Sequence, residues 1–240
     1  MKISASKALI EDLVAASRIL AQHQVLDAYG HVSARSDRNP ERFVMSRSLA
    51  PALVTAKDLM ELDANSEPLP GDKRKGFLER HIHGEIYRAR PEVMAVVHSH
   101  SPSVIPFGAT RTKLRPIYHM GSFLWSGAPV FEIRKQKQDN DLLIRDNALG
   151  KALAGTLGKC NCVLMRGHGM TVIGDSVPEA VFRAIYTEMN ARLQLQATQL
   201  EGPIEFLSDE EGRRSTASNR GTIERPWELW KKDALGRTRR

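Results

Sequence analysis

Cysteine is almost missing from this chain: 2 residues in 240, Cys160 and Cys162, both in one apolar run. Neighbours two apart on a strand rarely bridge, so a disulfide scaffold is excluded and a reducing, cytoplasmic setting is expected. No apolar stretch approaches the roughly 18 residues of a membrane span. The opening MKISASKALIEDL carries acids inside its apolar run, unlike a signal peptide. Aromatics make up only 6% of the sequence, and no basic stripe interleaved with aromatics occurs in residues 1–212, which argues against a nucleic-acid surface. There is no internal repeat, and no glycine-rich phosphate fingerprint follows a strand, so solenoids and the common nucleotide-binding folds are not expected.

What is present is an ordinary globule, 41% hydrophobic and 26% charged, long enough for one large domain. Its net charge of +7 is unevenly placed. Residues 213–240 hold 9 of the 35 bases and 3 of the 28 acids, leaving 26 bases against 25 acids in 1–212. The expected organisation is a nearly neutral body, 1–212, and a basic tail, 213–240, lying as a solvated or partner-covering arm anchored by Trp227 and Trp230.

Hydrophobic spacing places helices over 6–24, 78–89 and 141–157. A final long helix opens at Ser176, where Pro178 and Glu179 complete an N-terminal signature, and runs to about Leu200. Strands are expected around Gly30–Arg35, Phe43–Met45, Met94–Val97 and 161–166, the first two as a hairpin, with a surface loop at 66–76.

The chemistry concentrates in His98-Ser99-His100. Residues i and i+2 of a strand face the same side, so the two imidazoles can share one ion. His168, between Gly167 and Gly169 at the end of another apolar run, adds a third imidazole able to project from a sheet edge. Three histidines with an open position suit a divalent metal, zinc before manganese, cobalt or iron. Glu79 precedes the His98 strand and offers a carboxylate as ligand or proton shuttle, or a solvated first-turn acid favoured by the helix dipole. His81 and His83 are two apart on the same helix, so at most one approaches the site.

These residues resemble the class II aldolase/adducin superfamily over roughly 8–200. The resemblance rests on Gly30-His31-Val32-Ser33, on Tyr87-Arg88-Ala89-Arg90-Pro91 followed by Ala95-Val96-Val97-His98-Ser99-His100, and on Arg166-Gly167-His168-Gly169. It implies that His98, His100 and His168 hold the metal and that Glu79, nineteen positions before the first of them, matches the aldolases' catalytic glutamate. It further implies a three-layer α/β/α sandwich around a mostly antiparallel central sheet, and a homotetramer or larger ring with active sites between subunits.

The sequence departs from the sugar-phosphate members of that superfamily where they cradle phosphate. Those positions read His31, Ser46-Arg47-Ser48-Leu49 and Phe77-Leu78 here. A phosphate nest needs small residues and free backbone N–H groups, so Gly30, Ser46, Arg47, Ser48, Phe77, Leu78 and Tyr118 are expected to line a flatter, more apolar pocket for a small anionic substrate. Arg47 is a candidate to meet a carboxylate in bidentate fashion. The pattern is similar to the branch of dihydroxyphthalate-type aromatic acid decarboxylases, which implies a metal-dependent carbon–carbon lyase with Glu79 handling the proton and His31 and His119 assisting. An aldolase or epimerase on a non-phosphorylated hydroxy-carbonyl compound is the alternative. A non-catalytic adducin-like interaction domain is the third, and the intact histidines count against it.

Overall fold

The computed structural model describes residues 3–236, so residues 237–240 of the expected tail lie outside the described residues. The first helix, α1 (Lys7–Gln22), is capped by Ser6, whose hydroxyl accepts from the Leu9 amide, and its face of Leu13, Val14, Ile19 and Leu20 is buried. β1 (His31–Arg35) and β2 (Phe43–Ser46) form the expected antiparallel hairpin. After β3 (Leu59–Leu62) and the surface loop come α2 (Arg80–Ala89), stopped before Pro91, and β4 (Ala95–Ser99). A short α3 (Ile105–Ala109), a 3-10 turn over His119–Ser126 and β5 (Val130–Phe131) lead to α4 (Asn147–Leu157), β6 (Cys162–Met165) and β7 (Gly169–Gly174). Three helices follow among the described residues: α5 (Val177–Ala197), α6 (Asp209–Arg220) and α7 (Glu224–Gly236).

The seven strands form one sheet in the order β3-β2-β1-β4-β7-β6-β5. Every neighbouring pair is antiparallel except β5 with β6. Alternation along the strands divides the core into two layers. Ala95 and Val97 of β4, Val32 and Ala34 of β1, and Met170 and Val172 of β7 join the apolar faces of α1 and α5. Val96 and Ile173 face the other way, toward Ile82 and Ile86 of α2 and Leu149 and Leu153 of α4. This is the expected α/β/α sandwich with a mostly antiparallel sheet.

Two expectations need correction. The helix expected from 141 begins only at Asn147, because short polar side chains capture backbone groups ahead of it. Asn140 and Asp141 accept from the Leu142 and Leu143 amides, Leu142 takes φ +67°, and Asp146 caps α4 by accepting from the Leu149 amide at 2.8 Å. Nor is α5 the last helix, although Ser176 caps it as expected. α6 opens with a capping box in which Ser208 and Glu211 satisfy each other's amides. Position 213 falls within α6. Trp227 is buried in the α1–α5 layer, and Trp230 packs against that layer.

Candidate metal centre and active site

β4 lies at the middle of the sheet, and its face carrying Val96 also carries His98, so the strand aims an imidazole into the layer beneath α2. His98 sits opposite His31 of β1 on one side and Thr171 of β7 on the other. His100 follows one residue past the strand end. Gly30 turns into β1 with φ +82°, and a Cβ there would stand 2.9 Å from the His98 carbonyl oxygen. His168 enters from the β6–β7 turn, where Gly167 takes φ +64°. Glu79 is the residue immediately before α2 and is buried, so the solvated first-turn reading does not hold.

These four residues converge: one donor atom from each of Glu79, His98, His100 and His168 lies within 4.8 Å of the others. Glu79 Oε2 is 3.3 Å from His168 Nε2 and 3.4 Å from His98 Nε2. His100 Nε2 is 3.0 Å from His168 Nε2. Behind the centre, His98 Nδ1 donates to the Met170 carbonyl at 3.1 Å and His168 Nδ1 to the Leu142 carbonyl at 2.8 Å. A backbone acceptor at Nδ1 fixes the tautomer and turns the Nε2 lone pair inward, the usual arrangement behind metal-ligating histidines. His98 Nε2 is fully buried and has no hydrogen-bond partner among the described residues. A buried polar atom left unpaired costs free energy, and a cation among these donors satisfies it. The donor set, three imidazoles and a carboxylate, therefore fits a divalent metal.

Electrostatics fit the same arrangement. Burial would raise the Glu79 carboxyl, but His98 and His168 outweigh it and hold Glu79 well below the usual carboxylate range. Burial, reinforced by His98 and His168, lowers His100 to about 4. His168 moves up, because the Glu79 carboxylate outweighs the burial that would lower it. A neutral imidazole is the form that ligates metal, the form that burial favours at His100, whereas the Glu79 carboxylate favours a positive charge at His168.

A second set of buried polar groups adjoins the centre. The His31 ring lies 5.1 Å from that of His98 and 4.5 Å from Phe77. Its Nδ1 is 2.7 Å from His83 Nε2; His83 Nδ1 is 2.6 Å from Ser33 Oγ, and Ser33 Oγ is 2.7 Å from the Tyr87 hydroxyl. Only one of the two helix histidines approaches, as the spacing required: His81 turns away to Asn147 Oδ1 at 2.7 Å.

The other expected site residues are placed as follows. Phe77 is half-buried beside His31, and Leu78 is exposed. Ser46 is buried at the end of β2. The Arg47 guanidinium is held by Asp58, Nε to Oδ1 at 2.8 Å. The Arg47 and Ser48 amides both donate to carbonyl oxygens, of Asp58 and Lys75, each at 2.8 Å. Tyr118 and His119 lie at the 3-10 turn, which packs on α5 and α6 in the layer across the sheet from Glu79, and His119 is exposed. Neither belongs to the four-residue group within this chain.

Sequence reasoning missed five contributors. Leu142 and Ile144, in the stretch taken for helix, supply the carbonyl behind His168 and the amide that donates to Glu79 Oε1 at 2.9 Å. The Ser33–Tyr87 link was hidden because strand alternation alone does not say what a buried serine meets. Tyr29, exposed, sits with its ring 6.3 Å from that of His100, and the turn before Gly30 was its only signal.

An α/β/α sandwich with this histidine and glutamate centre defines a class of protein, and the family follows: the chain belongs to the Class II Aldolase and Adducin N-terminal domain family, whose model matches residues 11–195. It is similar to decarboxylase tropJ of Talaromyces stipitatus, 40% identical over 92% of this chain and 92% of that protein. It is 33% identical to a 3,4-dihydroxyphthalate decarboxylase of Terrabacter sp., covering 83% of this chain and 84% of that one. Among solved structures, L-fuculose 1-phosphate aldolase from Glaciozyma antarctica PI12 matches with a TM-score of 0.78 over 96% of this chain and 90% of that chain, at 22% identity, a likeness of fold. No helix among the described residues is long and apolar enough to cross a membrane.

Proposed function

We propose that the protein is a metal-dependent lyase that releases carbon dioxide from a dihydroxylated aromatic carboxylic acid of dihydroxyphthalate type. The observation that carries this reading is the four-donor group of Glu79, His98, His100 and His168 with the His31–Phe77 pair beside it. Two similar proteins named as decarboxylases support it.

His98, His100 and His168 would hold the ion, zinc before manganese, cobalt or iron. A divalent cation there supplies Lewis acidity to vicinal hydroxyl oxygens and draws electron density as the carbon–carbon bond breaks. The chain's own residues do the rest. Decarboxylation replaces a carboxylate on a ring carbon by one proton, and Glu79 is placed to relay that proton: Ile144 fixes its Oε1, leaving Oε2 on the histidine side. Phe77 and Leu78 form an apolar flank suited to a flat ring. The turn at Arg47 and Ser48 spends its amides on protein carbonyls, so it offers a phosphate little to bind. Arg47, held by Asp58, would attract an anion through its charge and not as a free bidentate clamp.

The same reading includes a homotetramer or larger ring, in a cytoplasmic setting in keeping with two free cysteines. Tyr118 and His119, across the sheet from Glu79, would then serve a neighbouring subunit's site. Light scattering on purified protein tests the assembly.

The deciding experiment offers metal-loaded protein a panel of dihydroxyphthalates, dihydroxybenzoates and hydroxy-aldehydes, with carbon dioxide and aldehyde both measured. Carbon dioxide from an aromatic acid is expected. Aldehyde without carbon dioxide would transfer the reading to an aldolase. No metal and no turnover would make the domain a non-catalytic one.

A further inference from the structure

His31 and His83 are both buried and joined by a single hydrogen bond, Nδ1 to Nε2 at 2.7 Å. Two ring nitrogens at that distance share one proton, so the facing atom of one ring bears the N–H and that of the other a lone pair. One ring therefore donates here and the other accepts. The groups behind His83 decide which.

The chain ends at Tyr87, whose phenol burial keeps protonated. Among the described residues the acceptor available to that O–H is Ser33 Oγ, 2.7 Å away. Ser33 therefore receives the Tyr87 proton and gives its own to His83 Nδ1 at 2.6 Å. With Nδ1 accepting, His83 carries its proton on Nε2 and donates it to His31 Nδ1. His31 is left with its proton on Nε2. Either other order, with Ser33 donating to Tyr87 or accepting from both Tyr87 and His83, would strand a buried O–H, of Tyr87 or of Ser33, without an acceptor among the described residues.

We infer that the Tyr87–Ser33–His83 chain fixes His31 as an Nε2–H donor at the metal centre, where it binds the carboxylate of the substrate and serves neither as base nor as metal ligand. The ring touches those of His98 and Phe77, and its Nε2 has no protein partner among the described residues, so the N–H is left for a ligand. A carboxylate accepting from it makes a charge-assisted bond. His83, Ser33 and Tyr87 are positioning residues, acting through His31. The identity of the anion rests on the aromatic-acid reading above; the tautomer does not.

Metal-loaded protein labelled with nitrogen-15 in histidine gives the first readout by ring-nitrogen NMR. His31 and His83 are expected to be protonated at Nε2 and bare at Nδ1. Ser33→Ala should lose that single tautomer while keeping its metal, and Ser33→Thr, which retains the hydroxyl, should restore it. The second readout is calorimetric binding of catechol and of 2,3-dihydroxybenzoate, which differ by a carboxylate. Ser33→Ala and Tyr87→Phe should weaken 2,3-dihydroxybenzoate by about tenfold, with catechol unchanged. A His31 proton on Nδ1 in the wild type would overturn the inference, as would equal weakening of both probes. If neither probe binds the wild type, the carboxylate role and the aromatic-acid reading fall together, and the spectrum still decides the tautomer.

Discussion

Gly169 lies so close to Ser99 that a Cβ on the glycine would stand 2.0 Å from the Ser99 carbonyl oxygen. The contact joins β7 to β4 at the point where His168 and His100 leave the sheet, their Nε2 atoms 3.0 Å apart. Gly169→Ala must push those strands apart. Overpacking of this kind costs about 1–3 kcal/mol, which for a chain of this size lowers Tm by roughly 2–12 °C. It should also lower bound metal, measured by elemental analysis against a scanning-calorimetry control.

His98→Ala should abolish stoichiometric metal, because it removes the buried Nε2 that has no other partner among the described residues. His81→Ala is the matched control on α2: its ring is bonded to Asn147 and should leave metal content unchanged. Equal loss in both variants would mean that the helix, and not the donor set, governs binding.

Glu79→Gln should keep the fold and much of the metal and lose turnover, since an amide preserves the Ile144 contact but cannot relay a proton. Full activity in this variant would remove Glu79 from proton transfer.

Asp146→Ala should act at a distance. Loss of an N-cap costs about 1 kcal/mol, and here the cap closes the loop that supplies both the Leu142 carbonyl to His168 and the Ile144 amide to Glu79. Outer partners of ligands tune metal affinity by about 10–100-fold, so a chelator competition should show weaker binding at nearly unchanged Tm.

Trp227→Ala should do the reverse. Its side chain is buried between helices, and truncating such a residue costs about 3–5 kcal/mol. Tm should fall by roughly 6–20 °C, while the metal content of the folded protein stays intact.

Much of this was readable in the residues themselves. The short apolar run Met94 to Val97 ends at His98-Ser99-His100, so β4 and the shared face of His98 and His100 follow from strand geometry alone. The glycines around His168 announced a tight turn. Residues 141–146 misled because Leu142, Leu143 and Ile144 look helical until the side chains of Asn140, Asp141 and Asp146 are allowed to compete for the backbone. α6, with the sequence DEEGRRSTASNR, has almost no apolar period; it is held by its capping box, by the ion pairs of Glu210 with Arg213 and Arg214, and by Arg220 reaching Glu179 and Asp175. The Tyr87–Ser33–His83 link depends on how β1 and α2 meet across 50 residues, which no local pattern carries.

Lys231 reaches back to Asp12 and Glu11, each at 2.8 Å, joining α7 to α1 across 219 positions. The seven strands and all four converging donors lie before that, between His31 and Gly174. During synthesis the sheet and its centre are thus complete in sequence well before α6 and α7 emerge. Closing so long a loop costs little more than closing one half its length. α6 and α7 therefore work as a clasp, tying the opening helix to a segment that follows the chemical centre in sequence.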